Sequence, residues 1–126
     1  MTNLNRITLL GHLGREPKSA TTQAGKPVTR FSVATNKRYQ DQDAETRQFT
    51  EWHNCVVFGP AAVYASKLTS GAFVFIEGEM TYREYQREVE TPEGPVSVSW
   101  LVAEVLVSSI SAIARKGNQE KQGSAA

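Results

Sequence analysis

The sequence has little material for covalent or metal-stabilised structure, since its 126 residues include one cysteine and two histidines. A single cysteine cannot form an intrachain disulfide, and neither a CxxC pair nor a His-rich cluster is present, so we expect no metal and no cofactor. The sequence has no run of about 20 apolar residues, as a membrane-spanning helix would need. In the N-terminal MTNLNRITLL, polar and apolar residues alternate, whereas a signal peptide has a charged start followed by an apolar run. We therefore expect a soluble, cytoplasmic protein without a membrane segment.

A net charge of only +1 would argue against a nucleic-acid partner, but the charges are unevenly distributed along the chain. Residues 1–40 carry seven basic residues against one acidic residue, Glu16, whereas residues 41–104 carry four basic and eleven acidic residues. The basic residues of the first block are Arg6, Arg15, Lys18, Lys26, Arg30, Lys37 and Arg38. This asymmetry allows a basic face on a nearly neutral protein, although charge alone is equally consistent with a solvated surface.

The order of secondary structure predicts an all-β domain with one short helix. The first predicted strand is LNRITLLGHLG, in which side chains alternate with period 2. The second and third are rich in β-branched and aromatic residues: VTRFSVATNKRY and TEWHNCVVFG. The fourth and fifth predicted strands are AFVFIEGEMTYREY and VSVSWLVAEVLVSSISAI. Gly11 and Gly14 fall where a strand must bend or be approached closely by another backbone. Between the third and fourth strands, PAAVYASKLTSG has Pro60 at a first helical position and Gly71 beyond the end, which predicts a helix of about nine residues.

Three strands, a helix and two strands are the order of the five-stranded Greek-key OB barrel, a fold that binds oligonucleotides or oligosaccharides. We predict this domain over residues 1–112 and a disordered C-terminal tail over residues 113–126, where ARKGNQEKQGSAA has no apolar periodicity. The polar tracts QDQDAETRQ and QREVETPEGP are predicted to be hairpin tips, the first of them mobile, and REPKSATTQAGKP to be a loop.

The third predicted strand places aromatic residues on one face. Trp52 and Phe58 project to the same side as Asn54 and Val56, whereas Cys55 projects to the other with Glu51, His53 and Val57. Aromatic rings flanked by Arg and Lys hold single-stranded nucleic acid by stacking on bases, although Trp52 and Phe58 could equally belong to an ordinary core. A nucleophilic Cys55–His53 pair is disfavoured, because no third orienting group is evident and a free cysteine is commonly a small buried hydrophobe.

Four segments carry a resemblance to a known family: NRITLLGHLGREP, VTRFSVATNKRY, TEWHNCVVFG and FVFIEGEM. Over roughly residues 3–110 the chain closely resembles the bacterial-type single-stranded DNA-binding proteins. The resemblance implies an OB-fold protein, not an enzyme, that coats single-stranded DNA without sequence specificity during replication, recombination and repair. It also implies a homotetramer, with a dimer as the alternative, and a place for His53 near a subunit contact.

The resemblance further implies which residues contact DNA. The stacking aromatics of the family fall on Tyr39, Trp52, Phe58 and Tyr85, and its phosphate contacts on Arg6, Lys37, Arg38 and Arg83. Tyr39 and Tyr85 stand where some members have Trp, and Glu84, Glu88 and Glu90 make the segment around Arg83 and Arg87 less basic. Family members often close in an acidic, hydrophobic tip, whereas this sequence closes in KQGSAA, so we expect no recruitment of replication or repair enzymes by such a tip.

Trp100 is a further candidate for DNA contact. On the fifth strand it shares a face with Val98, Val102 and Glu104, while the face of Leu101 and Val105 looks more like the core. We hypothesise that Trp100 adds a stacking ring beside the smaller Tyr85, the alternative being that it packs against a neighbouring subunit.

Three other functions stay open on the sequence. The first is a small hydrolase that uses Cys55. The second is a dimeric OB-fold accessory related to primosomal replication protein N. The third is an RNA-binding OB domain, which would depend on the 2′-hydroxyl.

Overall fold

The computed structural model describes residues 2–114 and contains six strands and one helix. The strands are β1 (Ile7–Leu13), β2 (Lys18–Thr21), β3 (Pro27–Gln40), β4 (Thr46–Phe58), β5 (Phe73–Thr91) and β6 (Gly94–Ala112), and helix α1 spans Pro60–Ser66. The predicted tail at residues 113–126 falls largely on residues 115–126, which lie outside the described residues. Within the described part, no helix is long and apolar enough to cross a bilayer.

Five strands close into a barrel, which confirms the predicted OB fold. The hydrogen-bonded order is β1-β5-β6-β4-β3, and β1 returns to pair with β3 through His12 and Leu13. All neighbouring strands are antiparallel except β4 and β6, which pair in parallel at Cys55 and Val105. The contacts that close the sheet are short, with two residue pairs between β1 and β3 and two between β4 and β6.

The predicted loop after β1 contains the short strand β2. Lys18–Thr21 pairs with Pro27–Arg30 of β3, on the same side of β3 that pairs with the end of β1. β1 and β2 therefore act as one interrupted strand of the five-stranded barrel. Helix α1 lies between β4 and β5, which are the third and fourth strands of the barrel, as predicted. The helix has seven residues instead of about nine.

Glycine allows β1 to pass close to β3. A Cβ atom placed on Gly11 would lie only 2.2 Å from the carbonyl oxygen of Ala34, so no other residue fits without a shift of backbone. Gly78 meets the carbonyl oxygen of Leu106 in the same way, next to an irregularity in the β5–β6 register. The prediction that glycines in β1 mark a close backbone approach is confirmed at Gly11.

The core is formed by the inward faces of the strands and one side of α1. Its largest fully buried side chains include Ile76, Val33, Val57, Val74 and Val105. Helix α1 covers one end of the barrel, where the buried hydroxyl of Thr29 donates a hydrogen bond of 2.7 Å to the carbonyl oxygen of Ala62.

Both hairpins extend beyond the barrel as regular paired strands, with shorter turns than the sequence predicted. β3 and β4 stay paired to Gln40 and Thr46, and β5 and β6 stay paired to Thr91 and Gly94. The first turn is organised by Asp41, whose carboxylate accepts hydrogen bonds from the backbone N–H groups of Asp43 and Glu45. Its other oxygen accepts one from Nε of Arg47 at 2.8 Å.

Candidate nucleic-acid interface

The outward face of β3 and β4 forms the first wall of a groove. The register pairs Ala34 with Trp52 and Ser32 with Asn54, and each of these pairs points away from the core. Trp52 is 58% exposed, whereas Cys55 and Val57 on the opposite face of β4 are buried. The predicted faces of this strand are thus correct, and Trp52 is not a core residue.

Trp52 rests on the loop that follows β1. A Cβ atom on Gly14 would lie 2.8 Å from the six-membered ring of Trp52, so glycine at this position leaves room for the indole. The carbonyl oxygen of Gly14 accepts a short hydrogen bond from the hydroxyl of Ser70, which ties this loop to the segment after α1. The ring is thereby supported from below while much of its surface stays open to solvent.

Along residues 83–90 of β5, acidic and basic side chains point to opposite faces. Arg83, Tyr85 and Arg87 alternate along one face of β5, while Glu84, Glu88 and Glu90 lie on the other face. The acidic residues that seemed to weaken this segment in the sequence therefore point away from the cations. The cationic face continues on β6, where it includes Val98, Trp100 and Val102.

Tyr85 and Trp100 are direct cross-strand partners on this face. Their ring centroids lie 6.1 Å apart at an interplanar angle of 24°. The guanidinium of Arg83 lies 5.8 Å from the centroid of the Tyr85 ring, within the range of a cation–π contact. Trp100 is 42% exposed, so the pair presents aromatic surface outward.

A groove of ≈ 500 Å³ extends from the Tyr85–Trp100 wall toward the depression that holds Trp52. It runs from Tyr85 and Trp100 over Arg30 and Asn54 to Arg15 and Ser32, and these last two residues also line the depression that holds Trp52. Its charged lining residues are Arg15, Lys18, Arg30, Glu16 and Glu104, with Arg83 beside them in contact with Glu104. Cations therefore outnumber carboxylates between the aromatic rings.

Sequence reasoning missed Arg15, Lys18 and Arg30 as site residues. All three belong to the basic block of residues 1–40, but no sequence pattern indicates that they lie near Tyr85 or Trp100. Arg30 reaches the groove because it lies on the outward face of β3, and Lys18 because β2 pairs it with Arg30. Only the formation of β2 and the closure of the barrel bring these residues beside the β5–β6 hairpin.

Two predicted DNA contacts lie on the other face of the β3–β4 hairpin. Tyr39 pairs with Arg47 and Lys37 with Phe49, which places all four on the face opposite Trp52. Phe49, which the sequence analysis did not single out, is 51% exposed there. The structure therefore does not bring Tyr39 and Lys37 into the groove.

Three further predicted contacts also lie apart from the groove. Phe58 lines a separate depression with Asn5, Glu79 and neighbouring residues of β6. Arg6 is paired with Glu77 at 3.4 Å near the start of β1. Arg38 shares the face of Trp52 but lies farther out along the hairpin.

Cys55 and His53 do not form a reactive pair. Burial, with a smaller contribution from the nearby Glu104 charge, raises the pKa of the Cys55 thiol to about 12, so the nucleophilic thiolate is not formed at neutral pH. The Nε2 atom of His53 lies 2.8 Å from the hydroxyl of Thr35. Among the described residues, no cluster of three or more His, Cys, Asp or Glu side chains is arranged to hold a metal ion.

Comparison with known proteins identifies the family of the chain. Residues 4–111 match the Single-strand binding protein family. The chain belongs to this family. Proteins of the Single-strand binding protein family bind DNA and are not enzymes, in agreement with the inert environment of Cys55.

Individual relatives show how far the similarity extends. A single-stranded DNA-binding protein of Xanthomonas axonopodis pv. citri is 40% identical over 83 residues, which cover 65% of this chain and 46% of the relative. The chain spans about half the length of the curated relatives it matches.

Two solved structures share the fold. A complex of the Plasmodium falciparum SSB with single-stranded DNA superposes with a TM-score of 0.67 at 27% identity, covering 90% of this chain and 97% of that one. A deletion mutant of the single-stranded DNA binding protein from Thermus aquaticus superposes with a TM-score of 0.73 at 22% identity, covering 91% and 53%. At that identity the second likeness concerns the fold alone.

Proposed function

We propose that the chain binds and coats single-stranded DNA without sequence specificity. The observation that carries this proposal is the groove lined by cations beside the Tyr85–Trp100 pair, which shares Arg15 and Ser32 with the adjoining depression that holds Trp52. Membership of the Single-strand binding protein family and the fold shared with a protein solved in complex with single-stranded DNA support it.

Base stacking is the first part of the proposed mechanism. Every base has a π-face, so exposed rings of Trp52, Tyr85 and Trp100 accept any sequence, each stacked base being worth about 1–3 kcal/mol. A duplex cannot use these rings, because its bases are already stacked on one another and turned inward. The groove therefore selects single strands over duplexes.

Phosphate contacts are the second part. We assign them to Arg15, Lys18, Arg30 and Arg83, which lie in or beside the groove between the rings. Arg6, Lys37, Arg38, Tyr39 and Phe58 stay candidates for contacts with DNA outside the groove, and their contribution is expected to be smaller. Charge-assisted contacts of this kind fix the path of the backbone but carry no sequence information.

The cellular role and the assembly follow from the same proposal. A protein that coats single strands would act in DNA replication, recombination and repair, in the cytoplasm of its host. A homotetramer, or a dimer in the alternative, would place several grooves side by side, so that one strand could pass from subunit to subunit.

The test is a titration with oligo(dT) of increasing length, followed by intrinsic Trp fluorescence and accompanied by a measurement of oligomeric mass. Binding should quench the fluorescence, because Trp100 lines the groove and Trp52 lies in the adjoining depression. Duplex DNA of the same length and oligo(U) serve as competitors. Equal affinity for the duplex would refute the stacking mechanism, and a preference for oligo(U) would identify an RNA-binding domain instead.

Salt dependence tests the phosphate contacts separately. For single strands the slope of log K against log salt is about −0.7 for each phosphate neutralised. Lys18→Gln should therefore make the slope shallower by about 0.7, whereas Lys26→Gln, a matched change in the loop between β2 and β3, should not. A flat response of the unmodified chain would contradict the assignment of cations to the groove.

A further inference from the structure

Glu104 is a buried carboxylate beneath the groove. It is 5% exposed and lies on β6, on the same face as Trp100. Its Oε2 atom accepts a hydrogen bond of 2.5 Å from Nη1 of Arg30, and its Oε1 atom lies 3.8 Å from Nη1 of Arg83. Both oxygens are thus engaged by cations from two different strands, β3 and β5.

The two arginines differ from their partner in exposure. Their side chains remain 39% and 48% exposed, so a DNA phosphate can reach the guanidinium groups from the solvent side. Glu104 cannot withdraw to make room, because it is enclosed on a strand of the barrel. Its negative charge therefore stays below any phosphate that Arg30 and Arg83 hold, in a setting where screening by water and salt is weak.

We propose that Glu104 is a fixed counter-charge that limits the affinity of the groove for phosphate and thereby sets how readily bound DNA is released. This inference rests on the proposed function. Within residues 2–114 the structure records no ion pair for Arg15 or Lys18, so these two cations attract DNA while Glu104 opposes part of the attraction.

Glu104→Gln tests the proposal, because it removes the charge and keeps the length of the side chain and an oxygen that can accept from Arg30. Binding of oligo(dT) at about 0.1 M salt should become roughly 10-fold tighter, as expected when the repulsion between two like charges about 6 Å apart is removed at an effective dielectric constant of about 20 and a Debye length of about 10 Å. The dissociation rate should fall by a similar factor, and the salt dependence should become steeper.

Two matched variants separate this effect from a general change in net charge. Glu45→Gln removes a carboxylate that is also paired with an arginine, Arg47, but lies at the turn of the β3–β4 hairpin, away from the groove. Glu51→Gln removes an exposed carboxylate from the face of β4 opposite Trp52, where water screens it. Both are expected to change the affinity less than twofold, and an equal gain in either of them would overturn the proposal.

The opposite results are also decisive. Weaker binding by a folded Glu104→Gln variant would mean that the carboxylate positions the arginines for DNA, and unchanged binding would mean that it has no effect. Glu104→Met provides a second neutral side chain, since replacing a buried ion-pair partner by an apolar residue changes packing differently from an amide. Failure of both variants to fold, as judged by circular dichroism, would make Glu104 a folding requirement and overturn the proposal.

The unmodified chain distinguishes failure of this inference from failure of the proposed function. If it does not bind oligo(dT), the proposed function fails, and this inference fails with it. If it binds and Glu104→Gln binds equally well or more weakly, the proposed function stands and only the role of Glu104 is refuted.

Discussion

Replacing Trp52 by alanine should weaken DNA binding strongly and destabilise the barrel only modestly. The indole is 58% exposed, and its remaining surface rests on the loop at Gly14. A Trp side chain buries up to about 200 Å², so the covered part is roughly 80 Å² and contributes at most about 2 kcal/mol to the free energy of unfolding. Loss of one stacked base should cost about 1–3 kcal/mol of binding free energy, or roughly a 5- to 150-fold rise in Kd.

The assay should not depend on the fluorophore that the substitution removes. Anisotropy of a dye-labelled oligo(dT) reports the Kd, and thermal unfolding followed by circular dichroism reports stability. Phe49→Ala is the matched control, because Phe49 lies on the same strand with a similar exposed fraction, 51%, but on the opposite face of the hairpin. Its effect on Kd should be less than about threefold.

Two results would refute this reasoning. If Trp52→Ala unfolds or aggregates, the indole supports the core and its exposed surface is incidental. If Phe49→Ala weakens binding as much as Trp52→Ala does, DNA contacts both faces of the β3–β4 hairpin. The one-sided groove proposed here would then be wrong, and Tyr39 would return as a stacking residue.

Three other predictions concern β6, the buried thiol and the first hairpin turn. Trp100→Ala should weaken oligo(dT) binding at unchanged oligomeric mass. Leu101→Ala, on the opposite face of β6, should not weaken binding. If Trp100→Ala dissociates into smaller species, the indole lies at a subunit contact instead. Cys55→Ser should leave Kd unchanged and cost about 1–3 kcal/mol of stability through burial of a hydroxyl. Burial raises the pKa of Cys55 in the folded protein from 9.0 to about 12, so the protonated thiol contributes stability below pH 9 that is lost as the pH rises toward 12. Chemical denaturation of the unmodified protein and of Cys55→Ser should therefore show the difference between their free energies of unfolding shrinking over that range. The hydrogen bond from Arg47, followed by those from the backbone, lowers the pKa of Asp41 below 3.8, so its contribution to the turn is present above that pH and lost as the pH falls through the folded value. The protection of the turn amides, measured as their exchange rate relative to the intrinsic rate at each pH, should fall in acid, and Asp41→Asn should abolish this loss of protection.

The alternation of side chains along single strands was predictable from the sequence. Trp52 points outward and Cys55 inward, and Gly11 lies where β3 passes close by, because the period of a strand and the lack of a side chain on glycine are local properties. The order of strands and helix likewise predicted the OB barrel, and the sequence motifs predicted the family. These features depend on a few neighbouring residues and on their order along the chain.

Local patterns were a poor guide where a strand leaves the barrel. Leu101 alternates with Trp100 and was predicted on the core face, yet it is 70% exposed, because within residues 2–114 no second layer covers that face of the β5–β6 hairpin. The same extension explains why the polar tracts predicted as long hairpin tips continue as paired strands. Hydrophobic periodicity specifies two faces of a strand, but burial requires something to pack against them.

What the sequence by itself determined is therefore the fold, the family and the face on which each residue of a given strand lies. Only the tertiary structure decided which of those faces meet. The hairpin register placed Tyr39 and Trp52 on opposite sides, and the pairing of β2 with β3 together with closure of the barrel placed Arg15, Lys18 and Arg30 beside Tyr85 and Trp100. The physical reason is that a face is set by backbone geometry within one strand, whereas the composition of a groove depends on contacts between residues far apart in the chain.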